Sequence, residues 1–365
     1  MGTPAIRTLR YARSWLTGRD DVRARELRLD RDGVPVAATL LTPGDLPGPL
    51  PAWIILHGIT RPGRGHRQLV RFTRALAEGG CAVLVPEVPE WRELDVAPSL
   101  TVPTVLASLR ALTELGGLIS ASPPGLLGFS FGAPQAIAAS AHPDLRGRLA
   151  GTVGFGGYCD LERTVVFQLT GRHDYGGLHH HLRPDPYGRW IVAANYLTAV
   201  PGYEDAAPVA AGLRRLAALA GDVGVVSWHP RFDPPREEIR RTLAPALREV
   251  FDLFAPGSAH DPEPTAAEEM AHLLAAAARG VEPGIEPVFQ GAAGPVHLLH
   301  GRQDHLIPFT EVHRLGEAMP AGVEVRTTVT SLFGHSAQDP WPAWREAVPE
   351  ATALIRALSG VFGVV

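Results

Sequence analysis

The chain has no lysine: all 34 basic residues are arginine, and Asn195 is the only asparagine. That bias follows from a GC-rich coding sequence and assigns no function. Charge is not concentrated either. The net charge is −4 and no block of like charges occurs, which speaks against a nucleic-acid partner. Two cysteines, Cys81 and Cys159, are too few for a disulfide framework, and Cys81 opens an apolar run as a small buried hydrophobe. No window approaches the ~20 uncharged apolar residues of a membrane span. The opening residues MGTPAIRTLRYARSWLTGRDD carry arginines but no apolar signal region, and Ile6 spoils a myristoylation pattern. A cytoplasmic location with no integral membrane segment is therefore expected. Residues 5–17 are predicted to form a short basic helix that packs on the domain or touches a lipid surface.

What the chain does have is alternation. Its 365 residues, 45% of them hydrophobic, suffice for one large domain with an insertion or for two domains. Short apolar runs alternate with helical patterns, as in a mostly parallel sheet covered by helices. ELRLDRDG and VPVAATLLTP read as a hairpin around Asp32-Gly33. AWIILHG (52–58), CAVLVPEV (81–88), GLLGF (125–129) and RLAGTVGFGGY (148–158) read as buried strands, with helices over 66–79, 101–115 and 132–142 between them. The alternation stops at about 159. From there to 290 the patterns are helical, including one helix over 236–254 kinked at Pro245. It resumes with GPVHLLHG (294–301), a helix near 309–318, EVRTTVT (324–330) and a closing helix. The expected organisation is an N-terminal helical segment (1–21), an α/β core (22–158 and 291–365) and a helical cap (159–290).

Gly128-Phe129-Ser130-Phe131-Gly132 ends one predicted strand and begins a helix. The G-x-S-x-G pattern in that setting holds a serine on a sharp turn with its hydroxyl exposed. Acyl transfer needs a nucleophile, a base, an orienter for the base, and donors for the oxyanion. Ser130 supplies the first. The Phe131 N–H, at a helix N-terminus, faces developing negative charge. His57-Gly58-Ile59 closes an earlier strand, and Gly58 allows the tight turn that presents the Ile59 N–H as second donor. Asp304, in HGRQDHLIP just past a buried strand, is the acid, with Asp160 as rival. His335, in FGHSAQDP past the strand 324–330, is the base, with His300 and His305 as competitors. The order Ser130, Asp304, His335 is the one this kind of fold uses, and parallel strands bring their C-terminal ends to one edge.

Taken together, GFSFG, LHG at a strand end, HGRQDHLIP and FGH resemble the α/β-hydrolase superfamily, over about 22–158 and 291–365. The resemblance implies Ser130 as nucleophile, Asp304 as acid, His335 as base, and the Ile59 and Phe131 N–H groups as oxyanion hole, with Gly128, Gly132, His57 and Gly58 as supporting motif residues. It places the segment 159–290 where that family carries its lid. The HGGG string of one lipase branch is absent, and a serine elbow does not resemble the aspartate nucleophile of haloalkane dehalogenases. The implied protein is a serine hydrolase acting on a small-molecule carboxylic ester without metal or cofactor. Peptide, thioester or carbon–carbon bond cleavage by the same triad, or a non-catalytic ligand-binding role, stay open. Two clusters invite other chemistry. Asp174 with His179, His180 and His181 lacks the i, i+4 spacing of a helical zinc site and reads as a solvated loop. Arg61, Arg64 and Arg67 read as solvated surface or as a contact for an acidic substrate group.

Overall fold

The computed structural model describes residues 3–221, 223–332 and 344–365. Eight strands form one sheet: β1 (Val22–Arg31), β2 (Val34–Pro43), β3 (Ala52–Leu56), β4 (Ala82–Pro86), β5 (Gly125–Phe129), β6 (Thr152–Phe155), β9 (Val296–Gly301) and β10 (Val325–Thr330). Their order is β1-β2-β4-β3-β5-β6-β9-β10. β1 and β2 pair antiparallel across the Asp32-Gly33 turn, β2 meets β4 antiparallel, and every later pairing is parallel. A separate hairpin, β7 (Arg172–Tyr175) with β8 (Leu178–His181), lies between β6 and β9 in the chain.

The unbroken apolar runs follow from helices on both sheet faces. Along β3, Ile54 and Leu56 face one core with Leu84, Leu126 and Val105, while Trp53 and Ile55 face another with Leu76, Val83 and Phe362. The period of two assigns the alternate residues, but both sets are apolar because neither face meets water. The helix Arg67–Glu78 and the closing helix Trp344–Val364 cover the second face.

The N-terminal helix Pro4–Thr17 packs on that same layer. Tyr11 meets Phe72 and Phe362 edge-on, and buried Arg7 donates to the carbonyls of Gly79, Phe362 and Val365. Its Nη2 lies 2.7 Å from the Cys81 sulfur, and Cys81 is fully buried, as expected. No described helix is long and apolar enough to cross a membrane.

Between β6 and β9 the described residues form six α-helices: Leu161–Thr170, Pro186–Tyr196, Ala207–Ala220, Asp233–Thr242, Pro245–Phe254 and Pro264–Val281. Two details differ from expectation. The predicted helix 236–254 is two helices, because Pro245 has no N–H to donate backwards and Ala244 before it is extended at ψ 144°. Residues 172–181, expected as loop, pair as a hairpin. Gly176 and Gly177 both take positive φ, which a two-residue turn of this hand requires, while the polar strands hide the apolar alternation that would have marked them. Trp190, Tyr196, Phe251 and Phe254 are buried in one cluster with Phe131, Tyr158, Leu306 and Ile307, so the insertion packs onto the C-terminal edge of the sheet.

Candidate active site

Ser130 follows β5 directly and adopts φ +54°, one of three non-glycine residues at positive φ among those described. For a residue with a Cβ this conformation costs about 1–2 kcal/mol, so the surrounding turn must hold it there. Ser130 N–H donates to the Phe155 carbonyl at 2.8 Å, and its own carbonyl accepts from Ala133 N–H at 2.9 Å. The strand thus reverses into the helix Gly132–Ser140 within two residues. Such a reversal brings backbones within van der Waals range, which explains both glycines. A Cβ on Gly128 would collide with the Gly132 carbonyl, and one on Gly132 would stand 2.7 Å from the His57 carbonyl oxygen.

The second of these contacts joins the elbow to the end of β3. A Cβ on Gly58 would stand 3.0 Å from Ser130 Cβ and 3.5 Å from its Oγ, so the loop His57-Gly58-Ile59 lies against the serine. Among the described residues neither Ile59 N–H nor Phe131 N–H donates a hydrogen bond. Phe131 precedes the helix, where backbone N–H groups have no intrahelical acceptor. Beneath the loop a row of rings runs from His57 to Trp91 (5.5 Å), Phe131 (5.2 Å) and Tyr158 (6.5 Å).

His57 is 1% exposed and works through both ring nitrogens. Nδ1 lies 2.7 Å from the Gly58 carbonyl, which can only accept, so the proton sits on Nδ1. Nε2 lies 3.0 Å from the Val88 N–H and 3.0 Å from Glu87 Oε1. Buried Glu87 is flanked by Arg64 at 3.5 Å and Arg92 at 3.6 Å. Arg64 also pairs with Glu26 at 2.8 Å, and Arg61 pairs with Glu93. The charges of Arg61 and Arg64 are therefore met by the protein's own carboxylates, which favours the structural over the substrate-binding reading of those two. Arg67 is exposed at the first turn of its helix.

Asp304 sits in the loop after β9 and is completely buried. Its Oδ1 accepts from Leu306 N–H at 2.9 Å and Ile307 N–H at 3.0 Å, which fixes the carboxylate plane. Oδ2 lies 3.3 Å from His300 Nε2, a nitrogen that also reaches the Ile307 carbonyl at 2.9 Å. His300 is itself fully buried within β9. His305 is held by the Arg183 carbonyl at 2.7 Å. Asp160 caps the helix Leu161–Thr170 through Arg163 N–H at 2.8 Å and faces Arg163 Nη1 at 3.5 Å. β5 and β9 flank β6, so Ser130 and the Asp304 loop rise from one sheet edge with backbones roughly 10 Å apart. His335 lies outside the described residues; the strand that leads to it, β10, pairs parallel with β9 and ends on the same edge.

Cys159 is the other nucleophilic side chain near this edge. Burial and the nearby Glu311 carboxylate push its thiol up to about 12, which removes the thiolate that chemistry would need. Asp174 pairs with Arg314 at 2.8 Å, and His180 stacks on His173 at 5.0 Å. Among the described residues no group of three His, Cys, Asp or Glu side chains could hold a metal ion. His173, Asp160, Arg163, Thr310 and Glu311 line a polar cleft of about 320 Å³ beside the hairpin.

Two side chains absent from the sequence reading touch the loops of the site. Glu87 reaches His57, and Tyr187, in the inserted helix Pro186–Tyr196, donates its hydroxyl to the Ile59 carbonyl at 3.0 Å. Burial raises the Tyr187 phenol, which keeps it a neutral donor. No sequence pattern marks either residue, since Tyr187 lies 128 positions from its partner.

No protein-family model and no curated protein sequence matches the chain. Solved structures do. A brefeldin A esterase, described as a bacterial homologue of human hormone-sensitive lipase, aligns with TM-score 0.50 and 18% identity over 98% of this chain and 83% of its own. One of two fungal esterases from Rhizomucor miehei aligns with TM-score 0.48 and 15% identity over 100% and 92%. A 2,6-dihydroxy-pseudo-oxynicotine hydrolase aligns with TM-score 0.46 and 18% identity over 93% and 68%. At such identities the likeness is one of architecture. With its antiparallel leading hairpin, parallel remainder, helices on both faces and serine elbow after β5, the chain has the α/β-hydrolase fold.

Proposed function

We propose that the protein is a serine hydrolase that cleaves a carboxylic ester through an acyl-enzyme on Ser130. The observation that carries this reading is the strained Ser130 backbone on a turn whose two glycines leave no room for any other residue. Strain of this kind persists where function selects it. Ser130 is the nucleophile. His335 takes its proton, and Asp304, ordered by two backbone N–H groups, orients and charge-stabilises that imidazole. Ser130 Oγ adds to the carbonyl carbon, and the oxyanion is received by the N–H groups of Ile59 and Phe131. Collapse expels the alcohol, which leaves with the proton from His335. Water, deprotonated by the same histidine, then releases the acid and regenerates Ser130.

The inserted segment 159–290 serves as the cap over this edge. The name of the aligned brefeldin A esterase agrees with the reading. The test is labelling by a fluorophosphonate probe together with hydrolysis of a chain-length panel of p-nitrophenyl esters. Wild type is expected to label and turn over, and Ser130→Ala to do neither. Labelling that survives in Ser130→Ala removes Ser130 from the mechanism.

A further inference from the structure

A backbone N–H can stabilise an oxyanion only if its direction is set before the charge develops, and here the direction of Ile59 N–H is set from both sides. The Gly58–Ile59 peptide is planar and trans, so its C=O and N–H point in opposite directions. His57 Nδ1–H holds that C=O at 2.7 Å, which directs the Ile59 N–H away from His57. The next peptide, Ile59–Thr60, is held through the Ile59 carbonyl by the Tyr187 hydroxyl at 3.0 Å. With both flanking planes bonded, Ile59 cannot rotate its N–H without breaking one of the two. The anchors have different origins. His57 belongs to the sheet edge, where its Nε2 accepts from Val88 N–H. Tyr187 belongs to the insertion.

The same inserted segment also holds the loop of Asp304. Asp185 N–H donates to the His305 carbonyl at 2.6 Å, and His305 Nδ1–H donates to the Arg183 carbonyl at 2.7 Å. Asp185 Oδ1 in turn caps the helix by accepting from Tyr187 N–H at 3.0 Å, and both its carboxylate oxygens lie 3.2 Å from Ser227 N–H. Within five consecutive residues, Arg183, Asp185 and Tyr187 thus bond the loop after β3 and the loop after β9. Thr60 adds a second tie between the first loop and the insertion, donating to the Gly221 carbonyl at 2.8 Å.

We infer that Tyr187 is a positioning residue for the Ile59 oxyanion donor, so that the insertion sets transition-state stabilisation as well as covering the site. This inference rests on the serine-hydrolase reading. Tyr187→Phe keeps the ring and removes only the hydroxyl. Loss of a whole oxyanion donor lowers kcat by about 10²–10³-fold; loosening one that stays in place is expected to lower it roughly tenfold, with KM within about twofold. Affinity for a trifluoromethyl ketone, whose hemiketal with Ser130 carries the oxyanion, is expected to fall by the same factor as kcat. Replacing Tyr187 with p-aminophenylalanine returns a donor at the same place and is expected to restore both. The probe is a short p-nitrophenyl ester, with the melting temperature of each variant measured alongside.

Unchanged kcat and ketone affinity in Tyr187→Phe overturns the inference alone. So does a loss that tracks the melting temperature, raises KM and is not rescued, since that is a packing role. A wild type that neither labels at Ser130 nor turns over the ester overturns the hydrolase reading beneath it.

Discussion

Adding one methyl group at Gly132 drives a wedge between the two halves of the candidate site. The new Cβ would stand 2.7 Å from the His57 carbonyl oxygen, 3.2 Å from the Leu56 carbonyl oxygen and 3.3 Å from Leu56 Cβ. Two of these partners are backbone of the strand end that carries Ile59, so no flexible side chain can swing aside. Relief requires the elbow and the β3 end to part by about 0.3 Å to clear the 3.0 Å limit of real contacts, and about 0.7 Å to reach ordinary contact at 3.4 Å. Overpacking of this kind costs typically 1–3 kcal/mol of stability. The same opening carries Ser130 and Phe131 away from Ile59. A misplacement of 1 Å can cost roughly 10²-fold in rate, so an opening of half that predicts about a tenfold loss in kcat. Gly132→Ala should therefore lose stability in urea denaturation and lose kcat on a p-nitrophenyl ester. Gly128→Ala, whose Cβ meets the Gly132 backbone more closely still, should be worse in both. Gly65→Ala is the control: its Cβ meets nothing within 4 Å, and its stability should lie within about 0.5 kcal/mol of wild type. A Gly132→Ala protein with wild-type stability and turnover refutes the close approach on which the site is built.

Because Ser130 holds φ +54°, Ser130→Gly should be more stable than Ser130→Ala by about 1 kcal/mol in paired denaturant titrations; equal stabilities would show that the turn is unstrained. Asp304→Asn should lower kcat/KM by roughly 10⁴-fold, the loss typical of a triad acid. Asp160→Asn should leave ester turnover near wild type, since asparagine caps a helix as well as aspartate does; the reverse pattern transfers the acid role. Burial, with the neighbouring His180 second, lowers the His173 imidazole from 6.5 to about 4. Its neutral form is favoured by the fold, so this stabilisation is complete above pH 6.5 and is lost as pH falls towards 4. Comparing denaturant midpoints at pH 7 and pH 4.5, His173→Phe should lose less on acidification than wild type. An equal loss would assign the acid sensitivity to other groups.

Much of the core was legible because its causes are local. Buried parallel strands must be apolar on both faces, so AWIIL, AVLVP and VHLLHG announce themselves, and the serine elbow needs its glycines at fixed offsets. The insertion was harder to read. Nothing in RHDYGGLHHH alternates apolar with polar, so the β7–β8 hairpin was hidden. The break at Pro245 looked like a kink because the same apolar stripe continues across it.

The sequence by itself determined the order of the strands and helices of the α/β core, the serine on the turn after β5, and the aspartate in the loop that follows β9, because each depends on residues within a few positions of one another. Tertiary structure decided what those residues work with. The bonds from Arg183, Asp185 and Tyr187 to the loops after β3 and β9 are contacts across 120 to 128 positions. Only the packing of the insertion onto the sheet edge sets them, since hydrogen-bond partners are chosen by where buried polar groups must find donors and acceptors once water is gone.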